Sequence, residues 1–424
     1  MPSVHPAFGW NEPCQDGVLP GGPRGRLGNA LLLALTLCLP LLPTATSAAK
    51  AEWLIVDTHV DTPFSMHLTG TDPSGPVATG DFDHPRAVAG GLGTAFMSIF
   101  IPPDADAKGE GLPLAHSLID RVENLARQHP QKFALVTCPY DAERARKRAL
   151  IGLAMGMENG GPIGGNLTHL RQLHQRGVRY ISLAHGKTNV LSDSSYDLQR
   201  RWNGLSPAGR AVIREMNNLG ILVDVSHLSD AAFWHVLDET TVPVIASHSS
   251  MRHFTPGFER NLDDRMVNAL VDHGGVVQIN VGSGVLTRKA HEWEKAFRPG
   301  FTAFRAQSPA PDAAATRAFI DEYRIRNPYP YATLDDVIDH IDHVVNLAGI
   351  NGVGIGSDFD GVGDTLPVGL KSVADYPNLI EALKRRGYSK RAIRKIMGGN
   401  LLRTWSTVER YASERGTRPM CSLK

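Results

Sequence analysis

Trp53-Leu54-Ile55-Val56-Asp57-Thr58-His59-Val60-Asp61 passes from an apolar run into an H-x-D pair. Trp53–Val56 reads as a buried strand, and His59 and Asp61 fall at its carboxyl end. In extended chain, residues two apart point the same way, so both side chains can grip one ion. Outward from this stretch the same pattern repeats. Apolar runs at Thr94–Phe100, Leu153–Met157, Arg179–Leu183, Ile221–Val225, Val244–Ala246, Val276–Ile279 and Val353–Ile355 bring the strands to eight. Amphipathic stretches lie between most of them: Leu114–Gln128, Leu167–Arg176, Pro207–Leu219, Asp230–Leu237 and Leu334–Leu347. Ser206 and Ser229 stand where helix N-caps belong, Pro207 takes a first helical position, and Gly177, Gly220 and Gly349 follow helical runs. The alternation is that of α/β architecture and predicts a closed (β/α)8 TIM-like barrel. An open doubly wound sheet is the alternative, but no G-x-G-x-x-G follows the first strand.

Two stretches interrupt the rhythm. Thr69–Arg86 reads as a long loop near the first strand. Lys289–Tyr331, with several prolines and aromatics, reads as a partly helical insertion after strand seven. The domain organisation expected is an N-terminal extension with an export signal over 1–51, a metal-dependent barrel hydrolase domain over 52–410, and a polar tail over 411–424. In the extension, Arg24 and Arg26 precede the apolar stretch Leu27–Leu42, and the small residues Ala45, Ser47, Ala48 and Ala49 follow. Positive flank, short apolar core and small-residue exit form a secretory signal, which places the protein in the periplasm or outside the cell. Retention as an uncleaved N-terminal anchor is the alternative.

At 424 residues, one inserted barrel can absorb most of the chain, and 42% hydrophobic residues suffice for a large core. The net charge of +1, from 44 basic and 43 acidic residues, gives no electrostatic reason to expect nucleic acid or an anionic membrane as partner. Cys14, Cys38, Cys138 and Cys421 form no C-x-x-C pair, so neither a zinc ribbon nor a thioredoxin-like motif is present. Cys138 and Cys421 could pair in an oxidising compartment or remain thiols.

The chemistry lies in where metal-competent side chains fall. After His59 and Asp61, Glu158 ends the third strand, His185 the fourth, His227 the fifth, His248 the sixth and Asp358 the eighth. In a parallel barrel all those ends meet on one face, where active sites sit. A single histidine after a strand is usually a hydrogen-bonding residue, and a single carboxylate there usually a cap. Their recurrence at successive strand ends makes them a metal site. His67, His84, His116, His169, His235 and His273 fall on loops or helices and keep the ordinary reading. Imidazole and carboxylate without thiolate suit zinc. Three histidines and three carboxylates exceed what one catalytic zinc needs. The surplus points to two ions sharing one bridging carboxylate, with a hydroxide between them as nucleophile.

The stretches Asp57–Asp61, Gly156–Gly160, Ser182–His185, Asn203–Gly209, Asp224–Ser229, Ala246–Ser250 and Gly354–Gly361 together resemble the membrane (renal) dipeptidase family of zinc metallopeptidases. The likeness runs from about Trp53 to Trp405. It implies two zinc ions per chain. His59, Asp61 and Asp358 would hold one, His227 and His248 the other, and Glu158 would bridge them. It further implies that His185 contacts the substrate and steadies the peptide carbonyl, and that Arg260 grips the terminal carboxylate. Asp358 would also be the catalytic acid-base. The substrates would be dipeptides, with tolerance for either stereochemistry at the C-terminal residue, and the assembly a homodimer. Asp360 takes a supporting role. One feature departs from the family pattern: Arg410–Lys424 carries no hydrophobic anchor segment. Gln278-Ile279-Asn280-Val281-Gly282-Ser283-Gly284 lacks an aromatic residue, which leaves the substrate side-chain preference open. The rival readings are a barrel metallohydrolase acting on another amide, such as an N-acyl amino acid, and a non-catalytic binding protein.

Overall fold

The computed structural model describes residues 53–307 and 313–416. The export segment, Cys14, Cys38 and Cys421 lie outside them. The strands are β1 (Ile55–Val60), β2 (Leu92–Phe100), β3 (Phe133–Leu135), β4 (Ile151–Glu158), β5 (Val178–Ser182), β6 (Leu222–Asp224), β7 (Ile245–Ala246), β8 (Val276–Ile279) and β9 (Val353–Ile355). All neighbouring pairs are parallel. The order β2-β1-β9-β8-β7-β6-β5-β4, closed by β2 against β4, is an eight-stranded (β/α)8 barrel. The eight expected strands are all present. The sequence reading missed β3. This short strand pairs only with Ile151–Leu153 at the start of β4 and adds nothing to the ring.

Strand alternation sorts the core into two regions. Val56, Phe96, Ala154, Tyr180, Leu222, Ile245 and Val276 pack inside the barrel. Their neighbours Ile55, Ala95, Leu153, Ile181, Val223, Ala246 and Val277 pack outward against the helices. Trp405, from the helix Asn400–Glu414, closes the interior at its amino-terminal end, with its ring 5.2 Å from that of Phe96. The opposite end stays free for polar side chains.

One irregularity matters for that end. Ile55 and Val60 both pack outward although an odd number of steps separates them, so one residue must be inserted in the ladder. Of the two register shifts between β1 and β2, the one between Asp57 and Val60 places the extra residue in β1. A bulge of this kind re-aims side chains at a barrel rim. The strand therefore runs beyond the expected Val56 and carries His59 within it. The apolar run stops early in the sequence because Asp57 and Thr58 are polar, yet both are fully buried.

The helix starts match the sequence reading. Ser206 accepts from the Gly209 amide and Ser229 from the Ala232 amide. The insertion consists of helices Arg288–Gln307 and Ala313–Arg326, and Phe297, Phe301 and Ile320 form a small core of their own. The expected long loop begins after a helix, Thr62–Thr69, and ends at a second, His84–Ala89.

Candidate metal centre

Every residue expected at the centre lies at the carboxyl-end rim. His59 comes from β1, Asp61 from the helix cap just beyond it, and Glu158 is the last residue of β4. His185, His227, His248 and Asp358 sit on the loops after β5, β6, β7 and β9. They converge on the Glu158 carboxylate from two sides. Oε2 lies 3.5 Å from His59 Nε2, and that nitrogen lies 3.3 Å from Asp61 and 3.9 Å from Asp358. Oε1 lies 2.9 Å from His227 Nε2, 3.2 Å from His248 Nε2 and 3.5 Å from His185 Nε2. Ligand atoms within 4.8 Å of one another occur in the sets His59–His248–Asp358, Glu158–His185–His227 and His59–Asp61–Glu158.

The residues fit a metal. His59 Nε2 and Asp61 Oδ1 are buried without a hydrogen-bond partner. Each such orphan destabilises a fold by about 1–3 kcal/mol unless a ligand satisfies it. The backbone is strained where ligands must be aimed: His227 and Asp358 take φ of 69° and 67°, the left-handed region that non-glycine residues rarely occupy.

Side chains behind the cluster hold it. His59 Nδ1 is 2.7 Å from the Tyr180 hydroxyl, and Tyr180 has room only because Gly156 has no side chain. A Cβ there would stand 2.0 Å from the phenol ring. His248 Nδ1 is 2.7 Å from Ser247 Oγ, which donates to Asp224 at 2.6 Å. Asn280 donates to Asp358 Oδ2 at 2.7 Å. Asp57 accepts from the Ser357 amide and hydroxyl and from the Tyr376 hydroxyl, tying β1 to the loop that carries Asp358. Such outer partners fix the orientation and tautomer of metal-binding imidazoles. The sequence reading did not find them. Tyr180 and Asp224 look like ordinary strand residues, and only their inward parity would have marked them. Asp360 accepts from Thr62 and from the Asp81 amide, pinning the Gly70–Asp83 loop, which agrees with a supporting role.

The electrostatics divide the histidines. Burial alone would raise Glu158, but His185 and His59, with hydrogen bonds from His227 and His248, hold its carboxyl well below the ordinary range. Burial disfavours charge on His59, yet the Tyr180 oxygen, Asp61 and Glu158 together hold it well above the usual imidazole value. His227 and His248 lie well below it, through burial first, then Arg260 and His185 at His227 and His59 and Arg260 at His248. A neutral imidazole is the form that donates to a metal. Burial raises Asp358 to about 7, with Asp61 and Glu158 adding to the effect.

Arg260 is buried beside the cluster. It donates to Ser249 Oγ at 2.7 Å and to the His248 carbonyl at 2.6 Å, and it lies 3.2 Å from His227 Nε2. It lines one cavity with Asp61, Glu158, His185, His227 and Asp358. His67, His84, His116, His169, His235 and His273 take no part in the cluster.

Imidazoles and carboxylates gathered at the mouth of a parallel barrel define a metal-dependent hydrolase. The profile of the membrane dipeptidase family, peptidase family M19, matches residues 45–418, and the chain belongs to that family. An uncharacterized dipeptidase of Schizosaccharomyces pombe is 33% identical over 342 residues, covering 78% of this chain and 74% of that one. Dipeptidase tcpJ of Claviceps purpurea is 30% identical over 349 residues, with 80% and 72% covered. Among solved structures, the probable dipeptidase PvdM from Pseudomonas aeruginosa superposes with a TM-score of 0.74 at 28% identity, covering 85% of this chain and 96% of that one. A Rhodobacter sphaeroides metallopeptidase, solved with a phosphinate mimic of the dipeptide L-Ala-D-Ala, shares the fold at a TM-score of 0.68 and 22% identity, with 84% and 99% covered. The chain is thus a dipeptidase of the metal-dependent kind.

Proposed function

We propose that the chain is a binuclear zinc dipeptidase that tolerates a D-residue at the C-terminal position. The observation that carries the two-ion reading is the division of Glu158: Oε2 faces the His59 and Asp61 side, and Oε1 faces His227 and His248. In this reading His59, Asp61 and Asp358 hold one zinc, His227 and His248 the other, and Glu158 joins them. Bound there, the pair would lower the pKa of a shared water and polarise the scissile carbonyl.

The protein's own groups supply the rest. Arg260, buried at the cavity wall, offers its guanidinium to the substrate's terminal carboxylate and so limits the length of chain that fits. His185, kept neutral chiefly by burial, is available to donate to the carbonyl oxygen as charge develops on it. Asp358, held in place by Asn280, takes the nucleophile's proton and passes it to the leaving amine. The phosphinate mimic in the Rhodobacter sphaeroides fold relative places D-Ala at the C-terminal position and supports tolerance there.

The test is metal analysis joined to a substrate panel of L,L- and L,D-dipeptides, a tripeptide and an amidated dipeptide, with and without chelator. Two zinc ions per chain and cleavage of the free dipeptides alone are expected. Rapid cleavage of the amidated form would remove Arg260 from its role and favour a broader amide hydrolase.

We further propose export to an oxidising compartment. Cys138 is disulfide-bonded, and such bonds persist where thiols are not kept reduced. No helix of the described residues is long and apolar enough to cross a membrane. Fractionation of cells expressing the full chain tests this; recovery wholly in the cytosol would overturn it.

A further inference from the structure

The insertion after β8 does more than decorate the barrel. Its first helix brings Glu294 to the wall of the same cavity that Arg260, His185 and Asp358 line. Glu294 is half-buried, and its hydrogen-bond partner is neutral: Oε1 accepts from the Tyr329 hydroxyl at 2.7 Å. Arg298 and Arg324 also act on it electrostatically. Gly284 makes room for the carboxylate, since a Cβ at that position would stand 2.1 Å from Oε2. The aromatic-free segment Gly282–Gly284 therefore opens the wall toward a negative group.

Glu294 is not one more member of the metal cluster. It belongs to none of the sets whose ligand atoms lie within 4.8 Å of one another. The α-amine of a dipeptide lies next to the bond being cut and must stay close to the cluster. A carboxylate set apart from the cluster but on the same cavity meets a side chain instead. Resting on the dipeptidase reading above, we propose that Glu294 selects dipeptides that carry a cationic side chain.

The experiment compares kcat/KM on Lys-Ala, Ala-Lys and Ala-Ala for the wild type and for Glu294→Gln, which keeps the shape and can still accept from Tyr329. The wild type should prefer one of the two lysyl substrates, and which one it prefers identifies the substrate position that Glu294 reads. The substitution should lower kcat/KM on that substrate roughly tenfold to a hundredfold, mainly through KM, and leave Ala-Ala unchanged. A pH series adds a readout that a merely structural carboxylate would not give. Burial raises Glu294 to about 7, opposed by the Tyr329 hydrogen bond, Arg298 on its own helix and Arg324 on the next. The lysyl preference should therefore grow as the pH rises through about 7, where the carboxyl loses its proton. Equal loss on all three substrates would reduce Glu294 to an anchor for Tyr329 and overturn the inference. So would a wild type without lysyl preference, or with one that does not change with pH. The pH series needs no variant, so it decides even if the glutamine form fails to fold. Wild type that cleaves none of the three would instead bring down the dipeptidase reading, and this one with it.

Discussion

Glu158 separates two unlike halves. On its Oε2 side stand one imidazole and two carboxylates, with His59 inside a strand and backed by Tyr180 from the barrel interior. On its Oε1 side stand His185, His227 and His248, all on loops, with the Arg260 guanidinium against His227. The acidic half draws a proton onto His59, whereas burial and Arg260 keep the histidines of the other half neutral. The same bridging carboxylate thus serves one half that attracts positive charge and one that offers only lone pairs. The difference predicts unequal grip: a cation is held more tightly beside Asp61 and Asp358 than beside His227 and His248.

The largest expected effect comes from removing what the halves share. Glu158→Gln leaves a neutral amide between them, so metal content at both halves should fall and activity should drop by more than the ~10- to 100-fold that outer partners contribute. Full activity in that variant would show the bridge to be misassigned. Asp358→Asn acts on the acidic half alone and should lower kcat by about 10²–10⁴, the range of general acid-base catalysis, with less change in KM. Unchanged turnover would take the proton-transfer role away from Asp358.

Smaller and more local effects should follow from the outer partners. Tyr180→Phe loosens His59, and Ser247→Ala loosens His248, each by about 10- to 100-fold in metal affinity. Each should affect only its own half, which metal titration of the two variants would show; identical titration curves would mean that the halves are not independent. The mildest test uses the unaltered protein. Under graded chelation, the imidazole half should empty before the acidic half, giving two steps in metal content. Loss in a single step would mean that the two halves hold metal equally.

The main lines of this site were legible because a parallel barrel collects strand ends, so residues from His59 to Asp358 could be assembled without knowing any contact. The eight barrel strands were legible for the same reason, being short apolar runs between amphipathic helices. What escaped were polar residues inside the core. Asp57, Thr58, Tyr180 and Asp224 are all fully buried. Their polarity masked the true end of β1 and hid the partners of His59 and His248. The β1 bulge left no mark in the sequence, because an inserted residue changes the parity of a strand without changing its composition. β3 was missed because three residues carry too little pattern. Glu294 escaped because it lies in a helix whose place at the cavity depends on how the insertion folds back, which local periodicity does not report.

Gly156 has a consequence for anyone wishing to retune this enzyme. It contributes no ligand atom, yet the phenol that steadies His59 rests against its bare α-carbon. Even alanine at that position would displace the ring and, through it, tilt the imidazole, so the strength of one metal subsite could be adjusted from a buried position that the substrate never meets.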